Sequence, residues 1–572
     1  MKKFAIVILC LLVVIPGASA VVANNAKLSP DLLAYKAPTA RVVIQYNSAP
    51  GPLDLQLITK LLGTVDSIVA QLPLVNAIVA DLPLANILSL TNQANVKYIS
   101  LDRPLKPTLS NAAPAVNAPS AWLSGYTGAG VGVALVDSGV SSHPDLNGGL
   151  LGLSRVVYSQ SFVAGDLSTA DKYGHGTHIA GLIAGDGANS TGSKYSKTFK
   201  GIAPGARLIN LRVLDQNGAG TDSSVIAAIS QAIALKPLFN IRVLNLSLGR
   251  PVYESYQFDP VCKAVEAAWK SGIVVVVAAG NNGRYQGTNG YATVTSPGND
   301  PYVITVGAMK PEGTPTRNDD LIASYSSKGP TVLDHIVKPD LVAPGNLLVS
   351  LEAPGTLYNA NPANRVPLNY YVVGGSTASS SSYFTLSGTS MAAGVVSGVV
   401  ADLLQASPRL TPDQVKARLM QTAWKSFPRY SSVTDPTTGI TYTSQYDVFT
   451  VGAGYVDLEA ALASPYVASG SAMSPVAVYD PKSGNTFMQF TSGSVWGSSA
   501  MWGSTSVWGS SEFVGPTSAM WGSSAMWGSS AMWGSSTASG FPTVWAGSAM
   551  WGSSAMWGSS AMWGSSADAG EK

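Results

Sequence analysis

Short, unbroken apolar runs recur between residues 128 and 463, and they constrain this chain more than any other feature. Val131-Gly-Val-Ala-Leu-Val136, Val243-Leu-Asn-Leu246 and Ile273-Val-Val-Val-Val-Ala278 are strand-length and rich in β-branched residues. They lack the polar alternation of a half-exposed strand. Stretches of helical character, such as 223–235 and 261–270, lie between them. Strands buried on both faces and separated by helices build a parallel sheet covered on either side. The expected class is therefore α/β, doubly wound and mostly parallel. One helix start is marked by Thr411-Pro412-Asp413-Gln414, which supplies an N-cap hydroxyl, a first-turn proline and the Gln of a capping box.

The flanks read differently. Met1-Lys2-Lys3, an apolar stretch over 4–15 and Ala18-Ser19-Ala20 predict a signal peptide over 1–20, cut after Ala20. That apolar stretch is shorter than the roughly 20 residues that span a bilayer. Cys10 would leave with it, and Cys262 alone can form no internal disulfide. Residues 21–110 read as a small α+β domain, with strands at Arg41-Val-Val-Ile-Gln-Tyr46 and Val96-Lys-Tyr-Ile-Ser100. Pro104, Pro107, Pro114 and Pro119 then favour an extended linker. The main domain is expected over 111–465, a linker over 466–494 and a repeat tail over 495–572.

In that tail the composition collapses to Ala, Met, Trp, Gly and Ser. Ten of the 13 tryptophans fall here, six residues apart within each cluster, which sets the array outside the argument for the rest of the fold. In an extended chain that spacing puts every Trp of a cluster on one side and every Met on the other. Such a stripe suits binding to a cell surface or self-association; the alternative reading is a mere tail. Between Gly493 and Ser566 only Glu512 is charged. Over the whole chain 34 basic and 32 acidic side chains leave a net +2, with none of the basic excess that a nucleic-acid partner requires.

The chain has only four histidines: His143, His175, His178 and His335. A zinc reading would pair His175 with His178 in Gly174-His175-Gly176-Thr177-His178, but no third ligand stands nearby in the usual arrangement. The other reading is a nucleophile, a base and a group that orients the base. A serine hydroxyl is a poor nucleophile until a base takes its proton, and that base needs its second nitrogen held. Asp137 ends an apolar strand, His175 lies between two glycines, and Ser390 opens a small-residue helix in Ser387-Gly388-Thr389-Ser390-Met391-Ala392. There the positive end of the helix dipole would act on Ser390.

The strings VALVDSGV, YGHGTHIAG and LSGTSMA, in that order, resemble those of the subtilisin-like serine protease family. The resemblance implies that Ser390 attacks the peptide carbonyl, His175 shuttles the proton and Asp137 orients His175. Asn281, in Ala279-Gly280-Asn281-Asn282-Gly283, matches the position whose amide faces the oxyanion. Ser247-Leu248-Gly249 and Gly218-Ala219-Gly220 resemble the two edges that clamp an extended substrate through its main chain. The implied partners are polypeptide substrates, and the chemistry requires no cofactor. The 41–106 segment resembles an inhibitory propeptide, so the chain reads as a secreted endopeptidase made as an inactive precursor.

Two departures qualify the likeness. Ala393-Gly394-Val395 stands where the family usually has Ser-Pro-His, and the stretch 353–382 is longer than expected, either a rim of the cleft or a surface excursion. Asp145 matches a calcium-binding position in some relatives, but the loop after Ala184 differs in length; a structural calcium stays open and metal ligands unassigned. One rival is a surface adhesion or assembly protein with an inactive protease domain, working through its Trp array. An esterase is another, disfavoured because Ala392 replaces the last glycine of a Gly-x-Ser-x-Gly elbow.

Overall fold

Each apolar run forms a strand of one sheet in the computed structural model. The structure describes residues 24–33, 35–61, 68–72, 76–101, 112–148, 152–435, 438–480, 485–489, 495 and 571. The expected signal peptide and the tryptophan array lie outside the described residues. The chain divides into two compact units, Met1–Lys106 and Pro107–Lys572.

In the larger unit the strands run, across the sheet, Leu321–Ile322, Ile304–Lys310, Val274–Ala278, Ile241–Leu246, Gly132–Asp137, Arg207–Arg212 and Val156–Ser161. All neighbouring pairs are parallel except Leu321–Ile322 on the edge, and Leu341–Pro344 also pairs in parallel with Ile304–Lys310. The three central strands are wholly buried but for Arg242, as their unalternated sequences require.

The order along the sheet reverses at Gly132–Asp137. Strands that follow it directly lie on one side, and Ile241–Leu246 and its successors on the other. Val136 pairs with Leu246 and Leu246 with Val277, so these strands end level. Asp137, Ser247 and the turn to Asn281 therefore leave the sheet along one edge. Open α/β sheets bind ligands at that carboxyl edge, beside such a reversal.

Two helices cover this region. His175–Ala184 and Thr389–Ala406 pack so closely that a Cβ on Gly394 would lie 3.3 Å from Ile179 Cγ2. Among the described residues Thr389–Ala406 is the one helix long and apolar enough to cross a membrane. Its burial from Thr389 to Leu404 marks it instead as a core helix. The capping box expected at Thr411 is present at the start of Pro412–Thr422.

Three stretches can be set beside their sequence reading. Pro114 and Pro119 do not extend the chain; they lie in the first turns of Ala112–Ala115 and Ala118–Leu123, where a missing N–H loses no helical bond. Within the expected linker over 466–494, the described residues include a packed part. Ala468, Ala472, Ser474 and Ala477 are buried, and Val476–Asp480 pairs with Asn485–Gln489. The long stretch 353–382 packs on the segment before His175: Thr356 and Leu357 donate their N–H groups to the Lys172 and Tyr173 carbonyls at 3.2 and 2.9 Å.

The smaller unit is an antiparallel sheet in the order Ile68–Leu72, Ala77–Pro83, Thr39–Tyr46 and Val96–Leu101, with helices Pro52–Leu61 and Leu84–Leu90. Val42, Ile44, Ile58, Ile78, Leu82 and Ile99 form its core.

Candidate active site

Asp137 and His175 meet at the carboxyl edge of the sheet. His175 opens its helix behind Gly174, whose φ of 108° suits glycine, and Gly176 leaves room for the approach. A Cβ on Gly176 would lie 2.2 Å from the Gly139 carbonyl oxygen and 3.2 Å from Asp137 Oδ1. His175 Nδ1 lies 2.7 Å from Asp137 Oδ1, with both side chains buried. That carboxylate oxygen also accepts the Ser138 N–H at 2.7 Å. Burial lowers the imidazole pKa, but the charge and hydrogen bond of Asp137 outweigh it, leaving His175 above its ordinary value. His175 Nε2 is buried with no hydrogen-bond partner among the described residues.

Sequence reasoning missed the groups that hold this pair. Asp171 Oδ1 accepts the Gly174 N–H at 2.7 Å and Asp171 Oδ2 the Thr177 N–H at 2.8 Å, capping the His175 helix. Ser138 Oγ donates to Asp171 at 2.8 Å and accepts the Gly176 N–H at 2.9 Å, tying helix to strand. An acid just upstream of a glycine-bounded helix start was the available signal.

Ser390 lies in the first turn of its helix and is 3% exposed. Its hydroxyl donates to the Ser247 carbonyl at 3.1 Å, not to His175. In return Ser247 Oγ donates to the Ser390 carbonyl at 2.9 Å. Asn245 Nδ2 donates to Ser247 Oγ at 2.9 Å, and Ser397 Oγ donates to Asn245 Oδ1 at 2.8 Å. This buried chain of polar groups fixes Ser390 against the end of the Ile241–Leu246 strand.

Asn281 reaches the same helix start. Its Oδ1 accepts the Thr389 N–H at 2.9 Å and the Thr389 hydroxyl at 3.0 Å. A backbone N–H can only donate, so the oxygen must face Thr389 and the amide NH₂ must point the other way. Thr389 Oγ1 also accepts the Gly280 N–H at 3.1 Å.

The two stretches expected to form the substrate edges are each closely packed. Leu248 is buried, and Gly249 backs onto Thr295, whose Oγ1 would lie 2.6 Å from an added Cβ. Gly218, Ala219 and Gly220 form a turn in which Asp215 N–H donates to the Ala219 carbonyl at 2.8 Å. Gly218 lies against the Tyr173 ring, two residues before His175, and a Cβ there would come within 2.6 Å of it.

The other histidines have structural places. His178 bridges to the Leu348 and Phe384 carbonyls at 3.1 and 3.2 Å, and burial followed by the nearby His175 charge pulls its pKa down to about 3. His143 accepts the Asp145 N–H at a short 3₁₀ turn. Asp145 is buried, and its oxygens accept the Asn189 N–H at 2.8 Å and the Tyr383 hydroxyl at 2.6 Å. Among the described residues no three His, Cys, Asp or Glu side chains gather to hold a metal.

Residues 128–454 match the model of the subtilase family of peptidases. The chain is 38% identical over 338 residues to serine protease AprX of Bacillus subtilis, covering 58% of this chain and 70% of that protein. It is 32% identical over 355 residues to subtilisin DY of Bacillus licheniformis, 62% of this chain and 98% of that one. A thermostable alkaline protease of Halalkalibacterium halodurans is 32% identical over 338 residues, 58% and 74% of the two chains. With the family model matched over more than half of its length and a mostly parallel sheet beneath it, the chain belongs to the subtilase family of serine peptidases.

Proposed function

We propose that this protein is a secreted serine endopeptidase, made as an inactive precursor, that cleaves polypeptides through an acyl-enzyme on Ser390. The observation that carries the reading is the 2.7 Å bond between His175 Nδ1 and Asp137, with Nε2 left without a partner among the described residues. A base held through one nitrogen keeps the other for the nucleophile's proton.

Rotation about χ1 takes the Ser390 hydroxyl from the Ser247 carbonyl toward Nε2. Oγ then bonds to the substrate carbonyl carbon while its proton passes to His175. The negative charge on the former carbonyl oxygen is met by the Asn281 NH₂ and by the Ser390 N–H, which lies in a first turn where the helix offers no acceptor. His175 returns the proton to the leaving amine as the peptide bond breaks. Water then attacks the ester, giving its proton to His175, which passes it back to Ser390 Oγ. Main chain at 247–249 and 218–220 holds the extended substrate on either side, an arrangement that reads backbone more than side chain.

Residues 1–20 serve export, 21–110 act as the inhibitor until removed, and the tail over 495–572 serves attachment or self-association. No step needs a metal. The test is incubation with a fluorophosphonate probe and mass mapping of the adduct. Label on Ser390 of the processed protein, lost in Ser390→Ala, supports the reading; a folded protein freed of residues 21–110 that takes no label there overturns it.

A further inference from the structure

The two stretches proposed to clamp the substrate come from strands that are not neighbours. Arg207–Arg212 leads toward 218–220 and Ile241–Leu246 into 247–249, while Gly132–Asp137 lies between those strands in the sheet. Two inter-strand steps separate them, about 10 Å in all. That is the width one extended peptide fills when it pairs with a strand on either side. Both stretches lie beyond the strand ends, where the ladder of the sheet no longer sets their spacing.

The Arg250 side chain joins them. Arg250 directly follows Gly249, and Asp222 stands two residues after Gly220, at the start of the helix Asp222–Phe239. Arg250 Nε donates to Asp222 Oδ1 at 3.0 Å and to Oδ2 at 3.1 Å. The guanidinium is anchored on its other side, where Nη2 donates to Asp259 Oδ1 at 3.0 Å and Asp259 is fully buried. Asp259 in turn accepts the Val261 N–H at 2.9 Å, capping Pro260–Lys270, and the Ser296 hydroxyl at 2.7 Å. The main chain of Arg250 exchanges two N–H···O bonds with that of Ser296, both 2.9 Å. Local folding does not require the link to Asp222. The helix start there is already served by the Thr221–Ser224 capping box, and the Arg250 charge is already met by Asp259.

We propose that the Arg250–Asp222 ion pair is a strut that holds 218–220 and 247–249 at the spacing of one extended peptide, which makes both side chains positioning residues for polypeptide substrates. The inference rests on the clamp reading of these two stretches. A planar fork held by two acids fixes direction as well as distance, which a lysine on one acid would not. Arg250 and Asp222 act through the edges and not on the reacting atoms.

The test uses the processed protein and two substrates: p-nitrophenyl acetate, too small to reach either edge, and an internally quenched peptide long enough to run along both. Asp222→Asn keeps the size of the side chain and loses its charge. It should raise KM for the peptide about ten-fold, the loss expected of a charge-assisted bond, with kcat little changed. Ester hydrolysis and fluorophosphonate labelling of Ser390 should keep the parent's rates, which also shows the variant folded. Asp222→Glu should recover most of the loss, and Arg250→Lys, which cannot reach both acids, should resemble Asp222→Asn. A peptide KM that stays at the parent's value in Asp222→Asn and Arg250→Lys overturns the proposal. So does an equal loss on ester and peptide, which makes the link a prop for the fold. The clamp reading fails separately: if the parent gains nothing in kcat/KM as the peptide is lengthened across the edges, the clamp falls and the strut with it. If the parent gains and Asp222→Asn keeps the whole gain, the strut alone falls.

Discussion

Thr389 holds Asn281 by two donors, its backbone N–H at 2.9 Å and its hydroxyl at 3.0 Å, both on Asn281 Oδ1. The residue before the candidate nucleophile thereby sets the direction of the amide proposed to face the developing charge. An oxyanion donor is effective when it is aimed beforehand and does not reorganise during reaction.

Asn281→Leu should therefore lower kcat by about 10²–10³, the loss seen when a subtilisin gives up such a donor, with KM little changed. Thr389→Val keeps the backbone donor and loses the hydroxyl, so its loss should be smaller and again confined to kcat. Thr389→Ser should restore the rate. A Thr389→Val effect that falls on KM alone would assign the hydroxyl to substrate binding. Steady-state kinetics on an extended peptide separates these outcomes.

The Asp137–His175 pair sets a pH dependence. The base works only when neutral, and its pKa is held above the ordinary 6.5, so the acid limb of kcat/KM should have its midpoint above 6.5. Stability runs the opposite way. A histidine whose folded pKa is raised stabilises the fold fully below its unfolded value, and that contribution is lost as pH rises through the folded value. In a Ser390→Ala background, Asp137→Asn should thus be more destabilising in mildly acid than in alkaline solution. Denaturant titrations at the two pH values check the sign, and an equal loss at both would detach His175 titration from the pair.

Much of this arrangement is legible along the chain. Val274–Ala278 could be placed because a run of four valines has one burial solution, a strand covered on both faces. Asp137, His175 and Ser390 stand in short strings whose glycines permit close approach. Thr389 acting on Asn281 was not legible, since the two lie 108 residues apart and meet only through the fold. The packing of 466–480 was hidden for another reason. Its buried residues include Ala468, Ala472, Ser474, Pro475 and Ala477, small side chains that show no apolar periodicity. Pro114 and Pro119 misled because proline marks both extended chain and first helical turns.

Ser474 also joins a buried charge cluster that predicts where the larger unit is brittle. Asp340 accepts from Lys338 Nζ at 2.7 Å and from Ser474 Oγ at 2.6 Å, and lies 3.1 Å from Lys416 Nζ. Burial raises its pKa, but the two ammonium charges outweigh that and hold the carboxyl low. Asp340→Ala leaves both lysines buried without their counter-charge and should cost about 3–5 kcal/mol. Because the Asp340 pKa is depressed, its contribution is present above the unfolded carboxylate value and fades as pH falls through the folded one. Urea unfolding of Ser390→Ala with and without Asp340→Ala measures the loss, and a change within 1 kcal/mol would mean that the lysines find other acceptors.

The start of the larger unit predicts where the proposed precursor is cut. A protease needs several residues in extended, accessible form, yet Ala112, Ala113, Ala115, Val116 and Ala118 are all buried. The segment is also pinned: Leu458 N–H donates to the Val116 carbonyl at 3.0 Å, and Asn117 Nδ2 to Asp457 Oδ1 at 3.0 Å. Cutting within 112–118 would have to unpack this strap first and would leave its partners at Leu458 and Asp457 unpaired. Processing should therefore fall before Ala112, and the mature chain should keep Val116 and Asn117. Asn117→Ala loosens the strap without touching Asp137, His175 or Ser390, so it should let secondary cuts appear after residue 112 while the peptidase remains active. Intact-mass measurement of the mature protein decides it, and a single mature chain beginning beyond Ala118 would remove the strap's role in the folded enzyme.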